Sequence, residues 1–309
     1  METGRGQARY DEMRAYIWFA FFRTTHYLAP MTDFTDIIGL GEIADDYDAL
    51  LCDIWGVMHN GKVPYKDACS ALERFRAERG PVILISNSPR PSAAIPAQFA
   101  QVGVPGEPYD AIVTSGDATI NELARRAPGP AFKLGPDRDD VIYEGMEMHF
   151  SDLEDAAFIS CTGLFNDDAE TPEDYRHLLN EAADMGLSMV CANPDIQVKR
   201  DGKLIYCGGA LAQLYDDMGG KVIYAGKPHP PIYELSRAWV EEIAGYDIPK
   251  DRVLAIGDNI FTDLLGAQQE DYDCLYIQDG LHADNSEQLK AILHKHGIVA
   301  RYMADGLRW

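Results

Sequence analysis

The chain of 309 residues is 46% hydrophobic and carries 50 acidic against 27 basic residues, a formal net charge of −23. That length and apolar share can bury a substantial core and leave room for two domains. So acidic a surface repels phosphate backbones and anionic lipid, which excludes nucleic acid and membrane as expected partners. An anionic substrate would need a cation or a local lysine at its site. The cysteines (Cys52, Cys69, Cys161, Cys191, Cys207 and Cys274) show no CxxC spacing. Cys52 and Cys191 lie in or beside apolar runs, where reduced core thiols are expected. With no secretion signal, the expected compartment is the reducing cytoplasm.

The apolar run from Ala15 to Phe22 is too short to span a bilayer as a helix. It lacks both a positive flank and a small-residue cleavage site, so it does not read as a signal peptide. Met31 opens a stretch that reads like an ordinary protein start, and residues 1–30 are expected to be a mispredicted extension or a loosely attached arm. A helical lead-in, capped by Asp33 or Thr35, then reaches a strand at 48–53. Ala68, Ala71, Leu72 and Phe75 recur at helical spacing within 66–79, with Gly80 as C-cap. A strand at 82–86, a helix at 91–102 capped by Gly103, a strand at 111–114 and a helix at 117–126 come next. Such alternation predicts an α/β fold with a mostly parallel sheet covered on both faces.

Residues 131–217 have a different texture. They carry the acidic stretch from Asp137 to Asp140, a strand at 156–161, the loop Phe165-Asn166-Asp167-Asp168, a helix at 172–185 ended by Gly186, and a strand at 188–191 running into Asn193-Pro194-Asp195. They read as a smaller α+β domain inserted into a main domain made of residues 31–130 and 218–309. The main sheet is expected to resume at Val222-Ile223-Tyr224, with a helix near 231–244, a strand at 253–256, a helix near 262–269 and a strand at 274–277 after it. There is no internal repeat and no low-complexity tract.

In a parallel sheet the active residues sit at the carboxyl ends of the strands, and Asp53, Ser86, Thr114 and Asp258 all fall there. A single such aspartate is commonly a turn or helix cap, and a lone Lys227 a solvated surface lysine. Together they read as one site. Asp53, delivered by the apolar run Leu50-Leu51-Cys52, can act as a nucleophile on phosphorus. Asp258 and Asp263 complete an oxygen-rich set with it that suits Mg²⁺. Lys227 can neutralise both the phosphate and the nucleophile, and Ser86 and the amide of Asn87 can donate to phosphate oxygens. His229 with Pro230 and Pro231 reads as a helix start, and His294 and His296 as surface residues. No Ser/His/Asp order, dinucleotide fingerprint or Walker loop is present.

In order, Asp53-x-x-Gly56, Ser86-Asn87, Lys227-Pro228 and Gly257-Asp258 with Asp263 resemble the four motifs of the haloacid dehalogenase superfamily. Thr114-Ser115-Gly116-Asp117-Ala118-Thr119, Asn193-Pro194-Asp195, Gly208-Gly209-Ala210 and Gly226-Lys227-Pro228-His229-Pro230 resemble its NagD-like, class IIA branch. The resemblance covers about residues 45–285. It implies a Rossmann-like core, a cap inserted between the second and third motifs, and Mg²⁺-dependent hydrolysis of a small phosphorylated metabolite through an aspartyl phosphate on Asp53. It further implies Asp258 and the backbone carbonyl of Trp55 as metal ligands, Asp263 as a direct or outer ligand, and Gly56 among the phosphate-binding residues. The cap loop at Asn193 and Asp195 is expected to face the substrate.

One position departs from that pattern. Family phosphatases usually carry a second aspartate two residues after the nucleophile, as proton donor to the leaving group; here it is Trp55. General acid catalysis contributes roughly 10²–10⁴-fold, so alkyl phosphates are expected to be poor substrates. Three readings stay open: a preference for leaving groups that need little protonation, a proton from His59 or a cap residue, or a protein that binds a phosphorylated metabolite without turning it over, as a sensor would. Trp55 has two readings of its own, a stack on a planar substrate or a packing role. A metal-free dehalogenase using Asp53 is the weakest alternative, since it leaves the acidic pair without purpose. An apolar face on the cap would support a homodimer.

Overall fold

The computed structural model describes residues 34–200, 203–278 and 286–309; the expected extension at residues 1–30 lies outside them. The main sheet is built from β1 (Thr35–Asp36), β2 (Ala49–Asp53), β3 (Val82–Ser86), β4 (Ala111–Thr114), β11 (Val253–Gly257), β12 (Asp273–Ile277) and β13 (Tyr302–Ala304). These seven strands are all parallel, in the order β1-β13-β12-β11-β2-β3-β4. The chain winds outward from β2 through β3 to β4 on one side, and from β11 through β12 to β13 on the other. The boundary between β2 and β11 is therefore the switch point at which such sheets bind ligands.

The central strands are apolar throughout because both their faces are covered. Leu50, Cys52 and Leu84 pack on one side with Ala68, Leu72 and Phe75 of α1 (Lys66–Glu78). Leu51, Ile83 and Ile85 pack on the other with Ile232, Tyr233 and Val240. Gly80 does not end α1 in a left-handed cap. It lies so close to the Asp48 carbonyl that a Cβ would sit 2.0 Å from the oxygen. Gly103 does end α2 (Ile95–Val102) in the left-handed region, at φ 83°. All six cysteines are buried free thiols.

A second sheet is made of β5 (Ala131–Leu134), β6 (Phe158–Cys161), β7 (Ser188–Cys191) and β10 (Lys221–Tyr224). It too is parallel, in the order β10-β7-β6-β5. The sequence pattern places Val222–Tyr224 back in the main sheet. Instead they pair with Met189–Cys191, so the inserted unit runs on to Tyr224. Strands β8 (Gln197–Arg200) and β9 (Lys203–Tyr206) form an antiparallel hairpin.

Three further expectations change. The lead-in to β2 is not a helix: Thr35 lies in an edge strand beside Tyr302, and two short 3₁₀ turns come after it. The helix at 262–269 is a π-helical turn, Ile260–Leu264, running into Leu265–Gln269. His296 is buried against Phe261 rather than on the surface, whereas His294 is exposed. No helix among the described residues is long and apolar enough to cross a membrane.

Candidate active site

Asp53, the last residue of β2, and Asp258, directly after β11, emerge from neighbouring strands at the switch point. Asp263 comes from the π-helical turn beyond β11. Asn259 builds that turn: its carbonyl accepts from the Asp263 and Leu264 N–H groups at 2.9 and 3.3 Å, and its side chain accepts from the Phe261 N–H. A π turn inserts a residue and re-aims the side chains around it, and here it folds the Asp263 carboxylate back over Gly257. A Cβ at Gly257 would lie 2.1 Å from the Asp263 Cγ. The Asn259 N–H donates to Asp263 Oδ2 at 3.1 Å. Carboxylate oxygens of Asp53, Asp258 and Asp263 thereby lie within 4.8 Å of one another, all buried.

Lys227 enters from the stretch after β10. Its Nζ donates to Asp53 Oδ1 and to Asp263 Oδ1, both at 2.6 Å, with both ion pairs out of solvent. Burial works against the ammonium, but the carboxylates of Asp263 and Asp53 outweigh it, and the lysine stays charged well above its ordinary range. Burial pushes the Asp53 carboxyl well above the usual carboxylate range; Lys227 opposes this, and Asp263 and Asp258 add to it. Lys227 pairs with two of these three carboxylates, Asp53 and Asp263. The cluster's all-oxygen donor set fits a hard divalent cation such as Mg²⁺.

The backbone around the cluster leaves no slack. Gly56 has φ 85°, and a Cβ there would lie 2.0 Å from Asp258 Oδ2. The turn 53–56 thus wraps directly over the carboxylates. The family resemblance puts Gly56 among the phosphate-binding residues, but its N–H donates to the His59 carbonyl at 2.9 Å. Its contribution is room for Asp258.

Ser86 is buried at the end of β3, where its Oγ accepts from the Ser88 N–H at 3.2 Å. The Asn87 side chain is committed to protein groups. Its Oδ1 accepts from the Lys227 N–H at 2.7 Å, and its Nδ2 donates to the Lys227 carbonyl at 3.0 Å and to Asp195 Oδ1 at 3.1 Å. Asn193 shapes the same cap loop, its Oδ1 accepting from the Asp195 N–H at 3.0 Å. Pro194 packs on Gly226, where a Cβ would also strike Asn87 and Ser115. Gly209 leaves space for the Pro194 carbonyl in the same way.

Two residues form parts of the frame that the sequence pattern does not single out as such. Ser115 Oγ donates to the Ala192 carbonyl at 2.5 Å, tying the core to the loop after β7. Asp117 closes a capping box with Thr114 and accepts from Ser92. The T-x-x-D spacing is the signal that marks it.

Trp55 is 41% exposed on the turn beyond Asp53. Its ring meets His59 edge to face, centroids 5.1 Å apart, and its benzo edge covers Gly61. His59 itself is fully buried. Its Nδ1 accepts from the Gly61 N–H at 3.0 Å, its Nε2 has no hydrogen-bond partner among the described residues, and burial lowers its pKa to about 4. A neutral, enclosed imidazole of this kind is poorly suited to hand a proton to a leaving group at neutral pH.

Residues 50–151 match the family model described as haloacid dehalogenase-like hydrolase, and residues 224–305 match a second model, HAD-hydrolase-like. A crystal structure of a hydrolase of the haloacid dehalogenase-like family from Brucella suis 1330 is 40% identical in sequence. It covers 88% of this chain and 99% of its own, with a TM-score of 0.77. The p-nitrophenyl phosphatase from Archaeoglobus fulgidus shares the fold at 19% identity, covering 84% of this chain and 97% of its own, with a TM-score of 0.67. An acid sugar phosphatase from Staphylococcus saprophyticus is 21% identical over 252 residues, which is 80% of this chain and 92% of that protein. The chain belongs to the haloacid dehalogenase-like hydrolase family.

Proposed function

We propose that the protein is a Mg²⁺-dependent phosphohydrolase of small phosphorylated metabolites that favours good leaving groups. The observation that carries this reading is the buried Asp53 carboxylate, held at 2.6 Å by Lys227 within a three-carboxylate cluster. The similarity to phosphatases of sugar and p-nitrophenyl phosphates supports it.

In this mechanism the Asp53 carboxylate attacks phosphorus, the new O–P bond forms an aspartyl phosphate, and the leaving oxygen departs with its electron pair. Water then attacks the same phosphorus and returns Asp53 as a carboxylate. Asp53, Asp258, Asp263 and the Trp55 carbonyl would hold Mg²⁺, which when bound neutralises phosphate charge and orients the ester. Lys227 stabilises charge on the transferring group and orients Asp53. Ser86 Oγ and the Asn87 backbone N–H donate to phosphate oxygens. The unit from β5 to β10 serves as the cap, presenting the loop at Asn193 and Asp195 to the substrate. Trp55 has no proton to give the departing oxygen, so the reaction proceeds best where that oxygen is a weak base, as in acyl or aryl phosphates.

The direct test is Asp53→Asn, which should abolish phosphate release while leaving the protein folded. An unchanged rate would refute the nucleophile.

A further inference from the structure

Trp55 stands out among the exposed large apolar side chains by its place, two residues beyond Asp53 on the turn that wraps the carboxylate cluster. Three features hold its indole still. Gly61, at φ 84°, lets the Cζ3 and Cη2 edge close over it, so near that a Cβ would sit 2.5 Å from both atoms. His59, buried beneath, meets the indole at an interplanar angle of 74°. Phe99 braces that imidazole in turn, ring to ring at 5.9 Å and 77°. The support is itself anchored, since His59 pairs in short bridges with Trp55 and Pro64 and its carbonyl accepts from Gly56. Leaving two-fifths of its area in water forfeits part of the hydrophobic return that a purely packing role would take. A rigid, partly exposed indole does suit one task, offering a flat apolar surface at little entropic cost.

From these features we infer that Trp55 is a stacking platform for the leaving group, and that the preferred substrates are phosphate esters of planar aromatic alcohols. This rests on the phosphohydrolase reading above. Two independent constraints converge on that class. Without a proton donor the departing oxygen must be a weak base, which admits aryl and acyl phosphates and disfavours alkyl ones. An indole on the turn two residues beyond the nucleophile separates those that remain, because an aryl ring has a face to stack and an acetyl group offers little area. The aromatic leaving group departs as its aryloxide, the electron pair of the broken P–O bond staying on its oxygen.

The test compares binding of phenylphosphonate and methylphosphonate, neither of which can be hydrolysed, by calorimetry on the full chain with Mg²⁺ present. The expected ratio of affinities is about tenfold or more in favour of phenyl, in line with an aromatic pair plus the area the ring buries. The ratio should fall close to one in Trp55→Ala and recover for the most part in Trp55→Phe. Because the readout is a ratio, general damage to the site in a variant cancels. Equal affinities in the wild type, no binding of phenylphosphonate, or a ratio that survives in Trp55→Ala would overturn the platform. Phenyl phosphate assayed alongside separates the two readings. Preferential binding of phenylphosphonate without phosphate release from phenyl phosphate would sink the phosphohydrolase and leave the aromatic site standing.

Discussion

The side chain of Asn87 grips the Lys227 residue at both ends of its backbone, accepting from its N–H at 2.7 Å and donating to its carbonyl at 3.0 Å. The same Nδ2 reaches Asp195 of the inserted unit. A residue at the end of one core strand therefore sets the base from which the Lys227 ammonium extends to Asp53, and links that base to the cap loop.

Asn87→Ala should remove this grip. The lost hydrogen bonds, at about 1 kcal/mol each, should lower stability by about 1–3 kcal/mol. A misaimed Lys227 should lower kcat by about tenfold or more, since small displacements at a reacting centre are costly. Thermal unfolding and steady-state kinetics would read both, and a variant that kept wild-type kcat would show that Lys227 needs no such anchor.

Lys227 is the positive charge that reconciles two buried carboxylates at 2.6 Å. Lys227→Met should destabilise the metal-free protein by about 3–5 kcal/mol, the usual consequence of breaking a buried pair on one side. Added Mg²⁺ should then raise the melting temperature of the variant by more than that of the wild type, because binding to the folded state alone stabilises it. Equal shifts in both proteins would mean that Lys227 and the metal do not share the same carboxylates.

Folding should also depend on His229. It stands at the N-cap position of the helix Pro230–Ala244, stacks on Tyr224 with ring centroids 4.5 Å apart, and burial lowers its pKa to about 4. A cation at that position would also face the positive end of the helix dipole. The neutral form is favoured in the folded state, so the stabilisation is present above pH 6.5, the ordinary histidine value, and is lost as pH falls through about 4. His229→Asn keeps a good capping residue and should flatten stability against pH across that window by about 1–3 kcal/mol. Denaturant melts at three pH values would suffice, and an undiminished slope would place the acid sensitivity elsewhere.

Part of the proposed chemistry is legible in the sequence because its residues come at the ends of apolar runs that read as buried strands. Asp53, Ser86 and Asp258 stand at such ends, and the parallel order brings them together. The illegible features depend on pairing. Val222-Ile223-Tyr224 is a short apolar run whose composition suits either sheet, and only its register against Met189–Cys191 assigns it to the inserted unit. Gly56 and Gly257 are ordinary turn glycines by sequence; the reason for each is a carboxylate that arrives from another segment. Nothing local shows that Lys227 and Asp195 will claim the Asn87 side chain. His59 and His296 are buried by tertiary packing that a single residue in a polar stretch does not announce.

Phosphate release measured with and without Mg²⁺, from acetyl phosphate and p-nitrophenyl phosphate beside a simple sugar phosphate, tests the central claim most directly. The account predicts Mg²⁺-dependent turnover of the activated compounds, faster than that of the sugar phosphate by about 10²-fold or more, the usual worth of an absent general acid. Equal turnover of all three would contradict the role given to Trp55. No release from any of them with Mg²⁺ present would contradict the phosphohydrolase itself.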